Sequence, residues 1–371
     1  MPEALDVTDI RCRFCRSSEG ELVLDAGRQP AAKVFPDVDE TTPEELYPLR
    51  MWMCGQCHLA QLVEDPGTPE EPVGLEPAAL VEQGRDAVGR MVEVGILGEG
   101  TVFHEYPSPH GGNWTSLMEA VGGRPAEPGE LADVCVDNLG LIHDADQAAA
   151  LAERVARIKD DGVLMFQWPS LQGILETGSW NALRHGHFAY QSTPVMVDEL
   201  AGLGFGATTA WWFPLYGGSV LLAARRGGHP DQSVTDLITR EESIGVLKAD
   251  VVRDLQRSAD ATSDGLRSFI ESERAAGRNV WGYGAASRCV ALLNRAKIGP
   301  ELLGQIADGG GAKQGKRTPG SGIPIVAPSD MIAAKPDTVL LFLGDMLDEM
   351  RRAMPEIEAN GGRWVIADEL G

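Results

Sequence analysis

Apolar and polar positions alternate along the chain in a way that predicts two separate α/β sections. From about residue 75 an amphipathic stretch runs to Val94, followed by a strand at Thr101–Tyr106, a helix near Trp114–Val121 and a strand at Asp133–Val136. A helix over Gln147–Ile158, a strand at Gly162–Gln167 and a helix near Pro194–Leu203 continue the alternation, and paired strands at Thr208–Phe213 and Ser219–Ala224 close it. This is the βαβ order of a parallel sheet finished by an antiparallel hairpin. Residues from about 230 to 276 read as one or two helices, with Val246, Val251, Leu255, Leu266, Phe269 and Ile270 set among charges. The alternation then resumes: a strand-to-helix turn at Asn279–Ala286, a helix to about Arg295, and strands near Leu303–Ala307, Thr338–Leu343 and Trp364–Ala367. A second, smaller doubly wound domain is predicted there.

Upstream of these sections the pattern is not periodic, and the chemistry is carried by cysteine. Four of the six cysteines form two pairs, Cys12-x-x-Cys15 and Cys54-x-x-Cys57, the spacing of a zinc knuckle. Four thiolates leave no open coordination position, so the metal expected is a structural zinc that stabilises a lobe with little core of its own; paired redox thiols are the alternative. Cys135 and Cys289 read as buried small hydrophobes. A stretch with three prolines, Asp65-Pro66-Gly67-Thr68-Pro69-Glu70-Glu71-Pro72, marks a boundary. The expected units are a zinc lobe at 1–72, a central α/β domain at 73–228, a helical connection at 229–276 and a Rossmann-like domain at 277–371.

At 371 residues the chain is long enough for two or three domains. Its 32 Lys plus Arg against 55 Asp plus Glu give a net charge of −23, which disfavours a passive nucleic-acid or anionic-lipid binder, since either needs a cationic face. Hydrophobic residues at 43% and charged residues at 23% are ordinary globular usage. No basic segment with an apolar run opens the sequence, and no run of about 18 apolar residues occurs, so a cytoplasmic protein is expected.

The chain resembles, over nearly its whole length, the sugar C-methyltransferases that act on nucleotide-linked ketosugars in antibiotic biosynthesis. The resemblance rests on Cys12-x-x-Cys15, Asp25–Pro30, Tyr47–Leu49, Cys54–Leu62, Asp161–Val163, His187-Phe-Ala-Tyr190, Tyr216–Ser219, Gly282–Ala286 and Lys313–Gly320, in that order. It implies a zinc lobe, a central class I methyltransferase-like sheet that binds S-adenosylmethionine, and a C-terminal Rossmann-like domain.

The departures fall on the parts that carry methyl transfer. The donor loop reads Glu105-Tyr106-Pro107-Ser108-Pro109-His110-Gly111-Gly112, with Pro107 where the family has a glycine that lets cofactor and backbone approach closely. Only 20 residues separate Gly112 from Asp133, too few for the usual helix, strand and helix, so the second strand and its ribose-binding carboxylate are expected to be missing or rebuilt. The family's tyrosine base has no counterpart in Val73–Glu82, and its Glu-His pair becomes Gly186-His187, which leaves the histidine. Glu105, Ser108, His110, Gly111, Asp137 and Asn138 are the positions implied for the donor.

A C-methylation needs a base that removes the proton α to a ketone, and His187 is the candidate. His104, His110, His143, His185 and His187 all fall near predicted strand C-termini, the edge where open parallel sheets bind ligands. With Glu105 and Asp144 they could supply acid/base groups, His185 and His143 beside His187, or hold a second, divalent metal; solvated loop histidines are the alternative. Trp168, Trp180, Trp211 and Trp212 flank the same edge, where stacking on a nucleobase competes with core packing. The Gly282-Tyr283-Gly284 turn and the basic loop Lys313, Lys316, Arg317 suit the diphosphate of a nucleotide sugar, with Trp168, Tyr190, Tyr216 and Tyr283 as further substrate contacts. Three functions follow: a divergent C-methyltransferase with His187 as base; a donor-independent epimerase, isomerase, lyase or cyclase on the same scaffold; or a non-catalytic partner of a pathway enzyme.

Overall fold

The computed structural model describes residues 6, 9–32, 34–67, 78–107, 111–214 and 217–371. Ser108, His110, Tyr216 and most of the proline-rich boundary lie outside the described residues.

The N-terminal lobe contains a sheet that the periodicity did not announce. Strands β1 (Gly20–Pro30) and β2 (Leu46–Cys54) form a long antiparallel hairpin, and β3 (Ala60–Leu62) extends it. A fourth strand, Ala189–Tyr190 (β8 in chain order), pairs with β3 through Ala60↔Tyr190 and Gln61↔Ala189. Along β2 the two faces serve different cores: Leu49, Met51 and Met53 point one way, Trp52 and Cys54 the other. The first face packs with Leu255 and Leu266 of the helix Asp254–Ala275, with Val290 of the helix Ser287–Arg295 and with Ile306 and Phe342. The N-terminal sheet, the helical connection and the C-terminal sheet therefore share one core.

The central sheet runs β5-β4-β6-β7-β10-β9. Its strands are β4 (Val102–Pro107), β5 (Arg124–Pro125), β6 (Ala132–Asn138), β7 (Ile158–Pro169), β9 (Phe205–Phe213) and β10 (Ser219–Arg226). The first four are mutually parallel, and β10 is antiparallel to both neighbours. β6 is buried on both sides, as a central parallel strand must be: Val134 and Val136 face Phe103 and Met91, and Cys135 faces Leu151 and Leu164. The second strand is rebuilt at two residues, Arg124–Pro125, and is the last on that side among the described residues.

The C-terminal sheet is wholly parallel, in the order β13-β12-β11-β14-β15: β11 is Val280–Tyr283, β12 Ile306–Ala307, β13 Ile325–Val326, β14 Thr338–Leu341 and β15 Arg363–Ile366. At Gly282 a Cβ would lie 2.8 Å from Ile306 and 3.1 Å from Phe342, and Gly284 turns the chain at φ +94°, so the strand-to-helix turn requires both glycines. Strand order reverses between β4 and β6 in one sheet and between β11 and β14 in the other, the two places where ligands bind in such sheets. No helix of the described residues is long and apolar enough to cross a membrane.

Candidate functional site

The four knuckle sulfurs lie within 4.8 Å of one another, with Cys12 Sγ 3.5 Å from Cys57 Sγ and Cys15 Sγ 3.5 Å from Cys54 Sγ. Each knuckle turns back on its first sulfur, to which the amides of Cys15 and Cys57 donate, and ends on a left-handed residue, Arg16 at φ 66° and His58 at φ 61°. Hydrogen bonding from the Cys57 thiol holds Cys12 down to about 5, while the same contact raises Cys57 and burial raises Cys15. Four convergent sulfurs with amides donating to them fit a tetrahedral thiolate site for zinc. Among the described residues this is the one group of three or more metal-ligating side chains.

The knuckle supports the histidine loop. Arg13 donates from Nε to Leu62 O, from Nη2 to Val63 O and from Nη1 to Ala145 O, and its guanidinium lies 4.6 Å over the Phe188 ring. With the β3–β8 pairing two residues further on, these contacts fix the segment that carries His187.

That segment sorts the four described histidines of the five. His143 and His187 meet edge to face, ring centroids 4.6 Å apart, and His143 Nδ1 bonds to Gly186 O at 3.0 Å. The Gly186 amide donates to Asp65 Oδ1 at 2.8 Å. His187 is buried, and its Nε2 accepts from Arg184 Nε at 2.8 Å. Arg184 also donates from Nη1 to Ser287 Oγ at 2.7 Å, while its amide donates to the Tyr190 hydroxyl at 3.0 Å. His185 turns the other way, onto Pro48 O at 3.0 Å. His104 stacks edge-on against Tyr106 on β4. Among the described histidines, His143 and His187 form a pair from which His104 and His185 stand apart.

At the β4/β6 switch point Glu105, Asp137 and Asn138, three of the positions implied for a methyl donor, bond to the protein's own groups. Glu105 accepts from the Trp114 amide at 2.6 Å and the Thr115 hydroxyl at 2.7 Å, at the start of the helix Thr115–Ala120. Asn138 donates to Gly112 O, next to Gly111, whose φ is 94°. Asp137, 1% exposed, accepts from the Leu141 amide at 2.8 Å and from Arg154 Nε at 2.9 Å. Arg154 reaches on to Asp144 at 2.6 Å and lies 4.0 Å over the Tyr106 ring. Burial outweighs the Arg154 charge at Asp137 and pushes its carboxyl up to about 6. Arg154 went unnoticed in the sequence, although its place after Ala150 and Leu151 puts it on the buried stripe of the helix Gln147–Val155.

The substrate positions are largely occupied by packing. Trp168 is 1% exposed within the sheet core. Tyr283 packs edge-on against Trp364 at 5.9 Å. Lys313 donates to Ala285 O at 2.9 Å and lies over Phe35. Lys316 pairs with Asp37, and Arg317 with Glu44. The basic loop thereby fastens the N-terminal lobe to the C-terminal domain, which the local sequence did not show because the acidic partners lie 279 and 273 residues away. A narrow cavity of about 10 Å³ lies beside Arg184, His185 and Ser287, between the lobe and the C-terminal domain.

A parallel sheet closed by an antiparallel hairpin, with a four-cysteine lobe before it and a Rossmann-like sheet after it, defines a methyltransferase-type α/β protein. Two family models match it: the C-methyltransferase C-terminal domain at residues 214–367 and a domain described as zinc binding at residues 12–71. The chain thus carries a zinc-binding domain and a C-methyltransferase C-terminal domain in one polypeptide. It is 24% identical over 398 residues to C-methyltransferase NovU of Streptomyces niveus, covering 96% of this chain and 94% of that protein. Among solved structures, magnesium protoporphyrin IX methyltransferase of Synechocystis PCC 6803 with bound SAH matches at 17% identity, 40% of this chain, 84% of that chain and a TM-score of 0.31. The 1,6-didemethyltoxoflavin-N1-methyltransferase of Burkholderia thailandensis matches at 16% identity, 45% of this chain, 95% of that chain and a TM-score of 0.27. Scores this low carry no weight for the site.

Proposed function

We propose that the protein is a zinc-containing C-methyltransferase that acts on a small polar ketone, a nucleotide-linked sugar or a related metabolite, in antibiotic biosynthesis. The observation that carries this reading is the co-linear match to a C-methyltransferase across almost the whole of both chains. Cys12, Cys15, Cys54 and Cys57 would hold zinc in a structural role, with no coordination position left for substrate. S-adenosylmethionine would enter at the β4/β6 switch point, among Glu105, Gly111, Asp137 and Asn138, and supply an electrophilic methyl group. His187, with His143 against it, would take the proton α to the ketone. To do so its Nε2 must be released by Arg184, because a lone pair already accepting one hydrogen bond does not also accept a substrate proton.

A second reading has its own observation. Arg154 spans Asp137 and Asp144 and covers Tyr106 at the donor edge, which favours a donor-independent proton transfer such as epimerisation or isomerisation. Calorimetry separates the two. On the first reading S-adenosylhomocysteine titrated into the zinc-loaded protein gives saturable heat with one site per chain; no heat at protein concentrations of about 100 μM, where millimolar binding would still register, removes the first reading and leaves the second.

A further inference from the structure

Arg184 was not among the residues the sequence singled out, and the proposed chemistry needs it to move. Its guanidinium is held at two points, Nε on His187 Nε2 at 2.8 Å and Nη1 on Ser287 Oγ at 2.7 Å, and its own amide is fastened to the Tyr190 hydroxyl. Ser287 opens the helix after the glycine turn of the C-terminal domain, so one side chain joins that domain to the histidine loop.

We propose that Arg184 is a positioning residue that latches His187 in the free protein as a neutral imidazole protonated on Nδ1, with its basic nitrogen masked. The argument is one of donors and acceptors. A guanidinium has only donors, so the nitrogen it meets must offer a lone pair, and in a neutral ring the proton then sits on the other nitrogen. A protonated imidazole has no lone pair, and the fixed cation opposes its charge as well. Other groups that face the loop are engaged with partners of their own. His143 presents its ring edge-on and spends Nδ1 on Gly186 O; Asp65 is directed to the Gly186 amide; Arg13 lies over Phe188. His187 in this state donates through Nδ1–H and accepts no substrate proton; it becomes a base when the guanidinium leaves Nε2. The inference rests on the base reading of His187 for its meaning, but its test does not require activity.

The test is ¹⁵N NMR of the full-length, zinc-loaded protein with labelled histidine, at a pH where its imidazoles are neutral. His187 is assigned by loss of its signals in His187→Gln. The expected result is a protonated Nδ1 and a hydrogen-bonded, unprotonated Nε2 in the wild type. Arg184→Met, which removes every donor, turns the Nε2–H tautomer from a minor into the major population, and Arg184→Lys restores the wild-type pattern. A merely structural Arg184 would leave the tautomer unchanged in a folded Met variant. A wild-type spectrum with the proton on Nε2 overturns the proposal whether or not any variant folds. The calorimetric result bears on the donor alone, so failure of one reading is distinguishable from failure of the other.

Discussion

Serine at Cys54 is expected to cost the protein its zinc and with it the fold of the N-terminal lobe. Cys54 is 1% exposed and receives the amide of Cys57, so its sulfur is both a ligand and the pivot of the second knuckle. Structural zinc contributes on the order of 10 kcal/mol in small zinc domains, about as much as the whole stability of a typical domain. The loss falls on the knuckle side of β2, where Trp52, Leu59, Val63 and Ile10 pack directly around the cysteines, while the opposite face stays on the shared core. Metal analysis should return one zinc per wild-type chain and none in Cys54→Ser, which should be recovered as aggregate or cleaved rapidly before β4. Chelation of the wild type should reproduce the effect without a substitution. A variant that keeps both its metal content and its unfolding midpoint would show that the four sulfurs are not a structural site.

Replacing Arg154 with methionine should destabilise the protein by about 3–5 kcal/mol near neutral pH, the penalty for leaving a buried carboxylate without its cation. Asp137 would retain only the Leu141 amide, and Asp144 and the Tyr106 ring would lose the same partner. The pH dependence identifies the cause. Burial raises the folded carboxyl of Asp137 to about 6 from its ordinary 3.8, so the folded state binds the proton more tightly than the unfolded chain. This group therefore lowers stability as pH rises through that window. Without Arg154 the folded carboxyl moves higher still. The variant's deficit in denaturant midpoint should be largest at neutral pH and shrink towards pH 4, where the carboxyl is protonated in both proteins. A deficit independent of pH would mean lost packing alone. Arg154 also covers the donor edge, so the same variant reports whether the triad obstructs S-adenosylhomocysteine.

The parts legible in the sequence are those where local pattern and tertiary role coincide. The knuckle spacing led to four sulfurs that do converge. β6, β7 and β10 are buried on both faces and stand out as apolar runs. Where an element owes its existence to partners, the local pattern was silent. β1 carries Asp25, Gly27 and Arg28, and is a strand because β2 lies beside it. β5, Arg124–Pro125, has no apolar signal and exists by pairing with β4. The histidines were readable as residues near strand ends, but not their directions: His185 and His187 are two apart, yet one serves Pro48 and the other Arg184. Arg184 and Arg317 take their roles from Ser287 and Glu44, which no short window contains.

The central claim is that His187 deprotonates a ketone-bearing substrate and the resulting carbanion takes a methyl group from S-adenosylmethionine. It is tested most directly by incubating the zinc-loaded protein with S-adenosylmethionine carrying a ¹³C-labelled methyl group and a panel of nucleotide-linked ketosugars in deuterated water. The account predicts labelled methyl carbon bonded to the sugar carbon α to the ketone, with none formed by His187→Ala. Deuterium entering that position at the same rate with and without the donor, and no labelled product from any ketosugar, would contradict it.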